Sequence, residues 1–342
     1  VVDRSVWVGR YAHPLIDQVS ECLGAFDSRN LRFALTALAT IETELRDYVA
    51  KIDPKRLSIV VGTSTSGISD SEALLKQYFE GNTSLAISHQ PQEMGCLAKA
   101  LQKYLEWQGA AYTISTACSS SAKAFAAGQR LIQSGLADAV LVGGVDTLCQ
   151  LTLNGFNSLE SLSADICQPC GINRDGINIG EAAALFLLTK EAAPVMLYGA
   201  GESMDAWHIS APHPEGEGAA IAMQRALASA DIEPHQIGYV NLHGTATPQN
   251  DAMEIKAIRQ VFQEHAVALS STKHKTGHCL GAAGAIEALI CIQVLKDQTW
   301  LPMHQHTDID PELVDQNYVS DAQLSKPIQY AMSNSFAFGG SN

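Results

Sequence analysis

Basic residues are scarce in this chain of 342 residues, whose 22 lysines and arginines are outnumbered by 36 aspartates and glutamates for a net charge of −14. An acidic balance of this size argues against nucleic acid as a general partner. Long apolar runs are also missing, because no unbroken stretch reaches the roughly 20 residues that a membrane-spanning helix needs. The first residues lack the basic and then apolar pattern of a secretory leader. We therefore expect a cytoplasmic location and no membrane span.

The cysteines lack the dense, regular spacing of a secreted disulfide framework. Cys167 and Cys170 have the spacing of half a zinc site or of a redox pair, but no second Cys or His pair follows at the distance found in zinc fingers. We interpret these two as loop or packing thiols and predict no metal site. Reduced thiols are expected at all eight positions, which are 22, 96, 118, 149, 167, 170, 279 and 291.

Strand-length apolar runs alternate with helical patterns along the chain, which is typical of an α/β protein with well-buried sheets. The predicted strands cover residues 57–61, 112–116, 139–142, 183–188, 195–197, 238–242, 267–270 and 329–333. The predicted helices cover residues 31–50, 93–106, 122–134, 218–230, 251–263 and 281–295. A strand, a loop of small residues and a helix recur in both parts of the chain. We therefore predict two similar halves, 1–190 and 191–342, whose loops converge on one site, with two alanine-rich and glycine-rich helices packed centrally.

Cys118 follows a predicted strand and precedes a predicted helix. The positive end of the helix dipole and the free amides of the first turn favour a thiolate, which is the reactive form of cysteine. Two later segments carry the partners that such a nucleophile needs, namely His243 in one and Lys273 with His278 in the other. A lone buried cysteine is usually a small hydrophobic residue, but the joint occurrence of these residues favours acyl transfer at sulfur.

Four motifs in order resemble the elongating β-ketoacyl-acyl carrier protein synthases, a family of acyltransferases with the thiolase fold. They are residues 116–121 around the cysteine, 241–251 around the first histidine, 271–287 around the lysine and second histidine, and 334–342 in a glycine-rich loop. Residues 174–184 resemble a fifth, structural segment. The resemblance implies two similar α/β halves with buried mixed sheets and converging loops. It also leads us to expect a longer protein, with a strand and helix before residue 1 and one more strand after residue 342.

The resemblance implies a decarboxylative condensation at Cys118. This thiol would accept an acyl chain from the phosphopantetheine arm of an acyl carrier protein, and malonyl carrier protein would then lose carbon dioxide and attack the thioester. His243 and His278 would stabilise the enolate charge, with Lys273 and Glu287 as support. The remaining implied roles are an oxyanion hole from the amides of Cys118 and Phe338, a gate from Phe336 and Phe338, close backbone approach at Gly339 and Gly340, and pantetheine contacts from Thr245 and Thr247. No bound cofactor is expected, because the substrates arrive on the carrier protein.

Other proteins with this fold are disfavoured at particular positions. A thiolase would carry a second catalytic cysteine in the glycine-rich loop, and a priming synthase would use an asparagine where His278 stands. A chain-length-factor subunit would lack the nucleophile at position 118. Two alternatives stay open, a subunit that completes the pocket of another synthase-like chain, and a ketosynthase of an aryl polyene or related polyketide cluster.

The family resemblance also implies a dimer, either of two identical chains or with a synthase-like partner. Carrier proteins in this family are acidic, so docking would need a local basic patch on this acidic chain. The candidates are Arg29, Arg32, Lys123 and Arg130, although solvated helix charges are an equally good reading of the last two. We interpret the other histidines, including His208, His213, His274, His304 and His306, as surface or loop residues.

Overall fold

A four-stranded sheet dominates the first half of the computed structural model, which describes residues 5–85, 88–305, 308–324 and 326–342. The order in this sheet is β3 (Ala111–Ile114), β2 (Leu57–Gly62), β4 (Ala139–Asp146) and β6 (Ala182–Thr189). Strand β2 runs parallel to both of its neighbours, whereas β6 is antiparallel to β4. A short parallel pair, β1 (Val8–Gly9) with β5 (Ile179–Gly180), lies outside this sheet.

The two central strands are buried on both faces, which explains their nearly continuous apolar sequences. Ile59, Val61 and Leu141 pack in one cluster with α1 (Arg29–Ala39) and α4 (Cys96–Leu105). The alternate positions Val60 and Val140 pack in another cluster with α5 (Ser120–Gln133). This alternation with a period of two places one helical layer on each side of the sheet.

A second sheet belongs to the later part of the chain and contains the described strands β8 (Ala268–Ser270), β7 (Ile237–Asn241) and β9 (Tyr330–Ser333), all parallel. Helices α7 (Glu217–Ala230) and α8 (Pro248–Phe262) share a core with one face of β7. On its other face, Tyr239 packs against α10 (Ala283–Asp297). Helix α10 also contacts α5 and β6, so α5 and α10 lie between the two sheets. The expectation of two centrally packed small-residue helices is therefore confirmed.

Three sequence predictions differ from the structure. The helix expected over 31–50 is two helices, α1 and α2 (Glu42–Val49), because Thr40 Oγ1 donates to Ala37 O at 2.7 Å and the chain turns there. The segment 195–197 forms no strand ladder in the described structure. Helices α3 (Ile68–Phe79) and α6 (Gln150–Ser158) were not predicted, because their apolar positions are partly exposed and make a weak pattern.

All eight cysteines are free, and seven of them are buried, among them Cys167 and Cys170. None of the described helices combines the length and apolarity required to cross a bilayer. The short helix α9 (Lys273–Thr276) completes the described elements and carries one of the predicted site residues.

The start of α5 rests directly on the end of β2, and Gly62 makes this contact possible. A Cβ at Gly62 would lie 2.4 Å from the backbone nitrogen of Ser121, whereas a Cβ at the exposed helical Gly155 would meet nothing within 4 Å. We expect Gly62→Ala to lower the free energy of unfolding by about 2 kcal/mol through overpacking. The matched control Gly155→Ala should raise it by about 0.5–1 kcal/mol. Urea unfolding measures both, and equal effects of the two variants would contradict this account of the β2–α5 contact.

Candidate active site

Cys118 stands at a sharp turn between β3 and α5. Ala117 has a φ of +51°, a conformation that costs energy for a residue with a side chain. Its carbonyl oxygen accepts hydrogen bonds from Ser120 Oγ at 2.6 Å and Ser64 Oγ at 3.2 Å, while Ser120 Oγ also accepts from the Thr116 amide at 2.9 Å. These bonds hold the strained turn and fix where the thiol points.

The buried carboxylate of Asp146 organises the neighbouring loop at the end of β2. It accepts hydrogen bonds from the hydroxyls of Thr63 and Thr65 at 2.6 and 2.9 Å and from the amides of Ser64 and Thr65 at 2.8 Å. Burial raises the pKa of Asp146, and these hydrogen bonds oppose that rise. Through Ser64 this cluster supports the turn that carries Cys118. Sequence reasoning missed it, because an aspartate at the end of a strand carries no distinctive pattern.

The two predicted histidines meet the cysteine. His278 Nε2 lies 2.9 Å from Cys118 Sγ. The ring of His243 stands nearly perpendicular to that of His278, with centroids 5.2 Å apart. All three side chains are buried, and the structure brings together residues from the loop after β3, the loop after β7 and the loop before α10.

Burial controls the protonation state of Cys118. Desolvation raises its pKa to about 11, against a smaller lowering by Lys273 and by the backbone amides of Phe338 and of Cys118 itself. Desolvation is the larger effect, so the net shift favours the thiol in the free protein, and the effect expected from the helix N-terminus does not decide its protonation state. Both amides that act on the sulfur are those predicted to form the oxyanion hole.

Both histidines are neutral at physiological pH. Burial lowers the pKa of His243 and of His278 well below the usual range, and the charge of Lys273 lowers each further. In the part of the chain that the structure describes, Nδ1 of each ring has no hydrogen-bond partner. Neither ring is therefore locked in one tautomer, and Nε2 can accept or donate.

Lys273 and Glu287 form a buried ion pair behind this cluster. The lysine Nζ donates a short hydrogen bond to Glu287 Oε1, and both side chains are almost inaccessible to water. Burial raises the pKa of Glu287 to about 7, opposed by the lysine charge. Each member compensates the charge of the other, and removing one would leave a buried charge unpaired.

A second carboxylate, which sequence reasoning also missed, positions the His243 loop. Glu254 on α8 accepts hydrogen bonds from the amides of His243 and Gly244 at 2.8 and 2.7 Å and from Asn334 Nδ2 at 3.0 Å. Burial raises its pKa to about 7. The signal was weak, since Glu254 lies eleven residues beyond His243 and on the following helix.

The predicted threonines and phenylalanines line the approach to the cysteine. A cavity of about 300 Å³ is bounded by Cys118, both histidines, Thr245, Thr247, Phe336 and Phe338. The two threonine hydroxyls lie 3.0 Å apart. The Phe336 ring lies 5.9 Å from His243, and the Phe338 ring packs 5.5 Å from Phe156.

The two glycines of the closing loop, Gly339 and Gly340, differ in the space that a side chain would find. Both have a positive φ, which favours glycine. A Cβ at Gly339 would meet nothing within 4 Å, whereas one at Gly340 would lie 2.0 Å from the carbonyl oxygen of Asp205. The close backbone approach predicted for this pair therefore occurs at Gly340.

The four predicted docking residues are all engaged in ion pairs, in two separate places. Arg29 pairs with Glu181 and Arg32 with Asp27, each at 2.6 Å, and both arginines line an open cavity of about 700 Å³ with Arg10. On α5, Lys123 and Arg130 both pair with Glu202, at 3.2 and 2.6 Å. The structure does not bring the four into one patch.

Among the remaining histidines, His304 lies in a loop, as one branch of its interpretation has it, but its side chain is buried. The Ser271 amide donates to its Nδ1 at 3.1 Å, and its Nε2 donates to the carbonyl oxygen of Pro169 at 2.9 Å. Burial lowers its pKa to about 4, so it is neutral. His208 is exposed, His213 and His274 are half-buried, and His306 lies outside the described residues.

Comparisons with known proteins identify the family of this chain. The β-ketoacyl synthase N-terminal domain matches residues 29–193, and the C-terminal domain of the same family matches residues 195–307. The 3-oxoacyl-[acyl-carrier-protein] synthase 2 of Staphylococcus aureus is 38% identical over 243 residues, which are 66% of this chain. The chain spans 60% of the length of that enzyme.

Solved structures extend the similarity over nearly the whole chain. The ketosynthase ApeO of Xenorhabdus doucetiae, determined in complex with its chain length factor ApeC, is 45% identical with a TM-score of 0.92, covering 98% of this chain and 84% of the other. The ketosynthase of a type II polyketide system, AntDE, determined with its acyl carrier protein AntF, is 26% identical with a TM-score of 0.85, covering 98% and 85%. These matches confirm the thiolase fold, and the chain belongs to the β-ketoacyl synthase family.

Proposed function

We propose that this chain is a β-ketoacyl-acyl carrier protein synthase that condenses an acyl group on Cys118 with malonyl carrier protein. The observation that carries the proposal is the contact of 2.9 Å between His278 Nε2 and the buried thiol, with His243 beside it and a cavity leading to all three. A nucleophile with an adjacent base is the arrangement that covalent acyl transfer requires.

The first half-reaction transfers the acyl group to sulfur. The thiol is protonated when free, so His278 Nε2 accepts its proton as the sulfur attacks the acyl thioester. The amides of Cys118 and Phe338 stabilise the oxyanion of the tetrahedral intermediate. The bond to the pantetheine sulfur then breaks, and that sulfur takes the proton from His278.

The second half-reaction uses the neutral histidines as donors. When the malonyl carboxylate leaves as carbon dioxide, the electrons of the broken bond form an enolate on the malonyl thioester. His243 and His278, in the tautomers that carry the proton on Nε2, donate to the enolate oxygen. The α-carbon attacks the Cys118 thioester, and collapse of this intermediate breaks the bond to the Cys118 sulfur and releases the β-ketoacyl product. The Cys118 thiolate then takes up one proton from solvent, which regenerates the thiol. Burial keeps both imidazoles neutral, and the charge of Lys273 lowers the pKa of each ring further.

The substrates arrive on the phosphopantetheine arm of an acyl carrier protein, so no other cofactor is invoked. Thr245 and Thr247 would hold the pantetheine amides, and Phe336 and Phe338 would gate access. Arg29 and Arg32 are the better docking candidates, because they line an open cavity together with a third arginine. We place the boundary between the two halves near residue 190. We also place the reaction in the cytoplasm, because eight free cysteines stay reduced there.

A second candidate concerns the assembly. The 45% identity with ApeO, whose structure contains a chain length factor, favours a heterodimer with a synthase-like subunit over a homodimer. The reaction at Cys118 is the same in both cases. As a member of such a heterodimer, the chain belongs to an aryl polyene or related polyketide pathway and not to fatty acid synthesis.

The assignment of the three site residues can be tested by intact-protein mass spectrometry. Cys118→Ala should show no acyl-enzyme with any acyl carrier protein. His278→Ala should slow acylation by about 100-fold or more, because it removes the general base. His243→Ala should keep acylation within about tenfold and lose release of product after malonyl carrier protein is added. Acyl transfer by the Cys118→Ala variant would sink the proposal.

The protonation state of Cys118 can be tested by its alkylation rate with iodoacetamide. Because its pKa is raised to about 11, the thiolate fraction should rise about tenfold per pH unit from pH 6 to pH 9 without levelling. Free glutathione, measured in parallel up to pH 10, should level off above its pKa of about 8.5–9, whereas the rate for Cys118 should still be rising at that pH. A plateau for Cys118 below pH 8 would show that the thiolate is already formed in the free enzyme.

The assembly can be tested by light scattering and by substrate choice. The chain alone and mixed with a chain length factor should be compared, and unsaturated aryl and saturated acyl carrier proteins should be supplied in parallel. The heterodimer version predicts a one-to-one complex and elongation of aryl substrates that depends on the partner. Full activity of a homodimer on saturated chains alone would contradict it.

A further inference from the structure

The side chains assigned to condensation also form a set of metal donors. One atom each of Cys118, His243 and His278, a sulfur and two ring nitrogens, all lie within 4.8 Å of one another. All three side chains are buried. This donor set contains sulfur and imidazole nitrogen but no carboxylate oxygen. Such a set suits Zn²⁺ and not Mg²⁺ or Ca²⁺.

We propose that Cys118, His243 and His278 bind one Zn²⁺ ion reversibly and that the bound ion blocks acylation of the cysteine. Binding itself depends only on the geometry of the three side chains. The blocking of acylation rests on the proposed condensing function.

The three donor atoms lie near the spacing that a zinc ion requires. On a tetrahedral zinc ion with Zn–S of about 2.3 Å and Zn–N of about 2.0–2.1 Å, neighbouring donor atoms lie about 3.3–3.6 Å apart. The Cys118–His278 pair must therefore open slightly from 2.9 Å, and the most distant pair must close from its limit of 4.8 Å. Within the described residues no hydrogen bond to either Nδ1 atom opposes a small change in ring orientation. The cavity of about 300 Å³ provides an entry path and room for a water as fourth ligand.

Charge sets how tightly the ion is held. The positive Lys273 acts on all three donors and opposes a cation. Glu287 compensates the charge of Lys273 through their ion pair. The pKa of the Cys118 thiol is lowered by Lys273 and raised by Asp146, so the two charges oppose each other at the sulfur. Resident zinc sites usually fix the second ring nitrogen of each histidine with a hydrogen bond, and loss of such partners costs about 10–100-fold in affinity. We therefore expect reversible occupancy and not a structural metal.

The chemistry of binding is a simple exchange. The S–H bond of Cys118 breaks, its proton goes to solvent, and the sulfur lone pair forms the bond to zinc, without any oxidation or reduction. A sulfur held in this way cannot attack an acyl thioester. Both imidazoles are also occupied, so zinc competes with the acyl donor for the same atoms.

The test uses the full chain after treatment with a chelator, with Co²⁺ as a spectroscopic probe and Zn²⁺ in calorimetry. We expect one Co²⁺ per chain with the charge-transfer absorption of a cobalt–thiolate bond, displaced by one Zn²⁺. Cys118→Ala should lose this band, and His243→Ala should weaken binding by about tenfold or more. The exposed controls Cys22→Ser and His208→Gln should bind as the unchanged chain does, and circular dichroism checks that every variant is folded.

Alkylation separates failure of the zinc site from failure of the proposed function. Saturating Zn²⁺ should slow iodoacetamide modification of Cys118 at least tenfold, with full recovery after EDTA, and this readout needs no substrate. A thiolate band that persists in Cys118→Ala, or alkylation unaffected by Zn²⁺, would overturn the zinc site whatever the enzyme condenses. Zinc protection in a chain that accepts no acyl group would support the site and count against the proposed function.

Discussion

Removal of one thiol from water is the constraint on which the rest of this site depends. Cys118 is buried deeply enough that desolvation outweighs two backbone amides and a nearby ammonium, so its pKa rises to about 11. A protonated thiol needs a base in contact, and His278 provides one at 2.9 Å. The same burial keeps both histidines neutral. The free protein therefore holds no exposed thiolate that oxidants could reach.

The two halves of the fold solve the same local problem in the same way. At the end of β2, the carboxylate of Asp146 accepts hydrogen bonds from two successive backbone amides, those of Ser64 and Thr65. At the end of β7, Glu254 does so with the amides of His243 and Gly244. In both places a strand ends in a loop whose amides cannot continue a ladder, and a buried acid satisfies them. Pairs of amides held in this way orient the loops that face the cysteine.

The sequence predicted those site residues whose own side chains carry the proposed chemistry. The cysteine, both histidines, the lysine and the glutamate were predicted from motifs, and the structure brings them together. The alternating strands and helices also emerged, because buried parallel strands read as apolar runs. Asp146 and Glu254 were not found, because most of their partners are backbone amides that carry no sequence signal. The burial of His304 and the large effect of desolvation on the pKa of Cys118 were not foreseen, since burial depends on how the whole chain packs.

The closing loop that carries Phe338 is tied to a surface segment. The Asp205 amide donates to the carbonyl oxygen of Gly340 at 2.7 Å, and the Gly339 amide donates to that of Ile209 at 2.8 Å. The side chains of Trp207 and Ile209 within this segment are largely exposed. Two backbone hydrogen bonds therefore join the exposed segment 205–209 to the loop that carries Phe338. A displacement of the backbone of that segment would be transmitted to the backbone on which the Phe338 ring is mounted, so the front of the cysteine cavity is mechanically continuous with the outer surface of the protein.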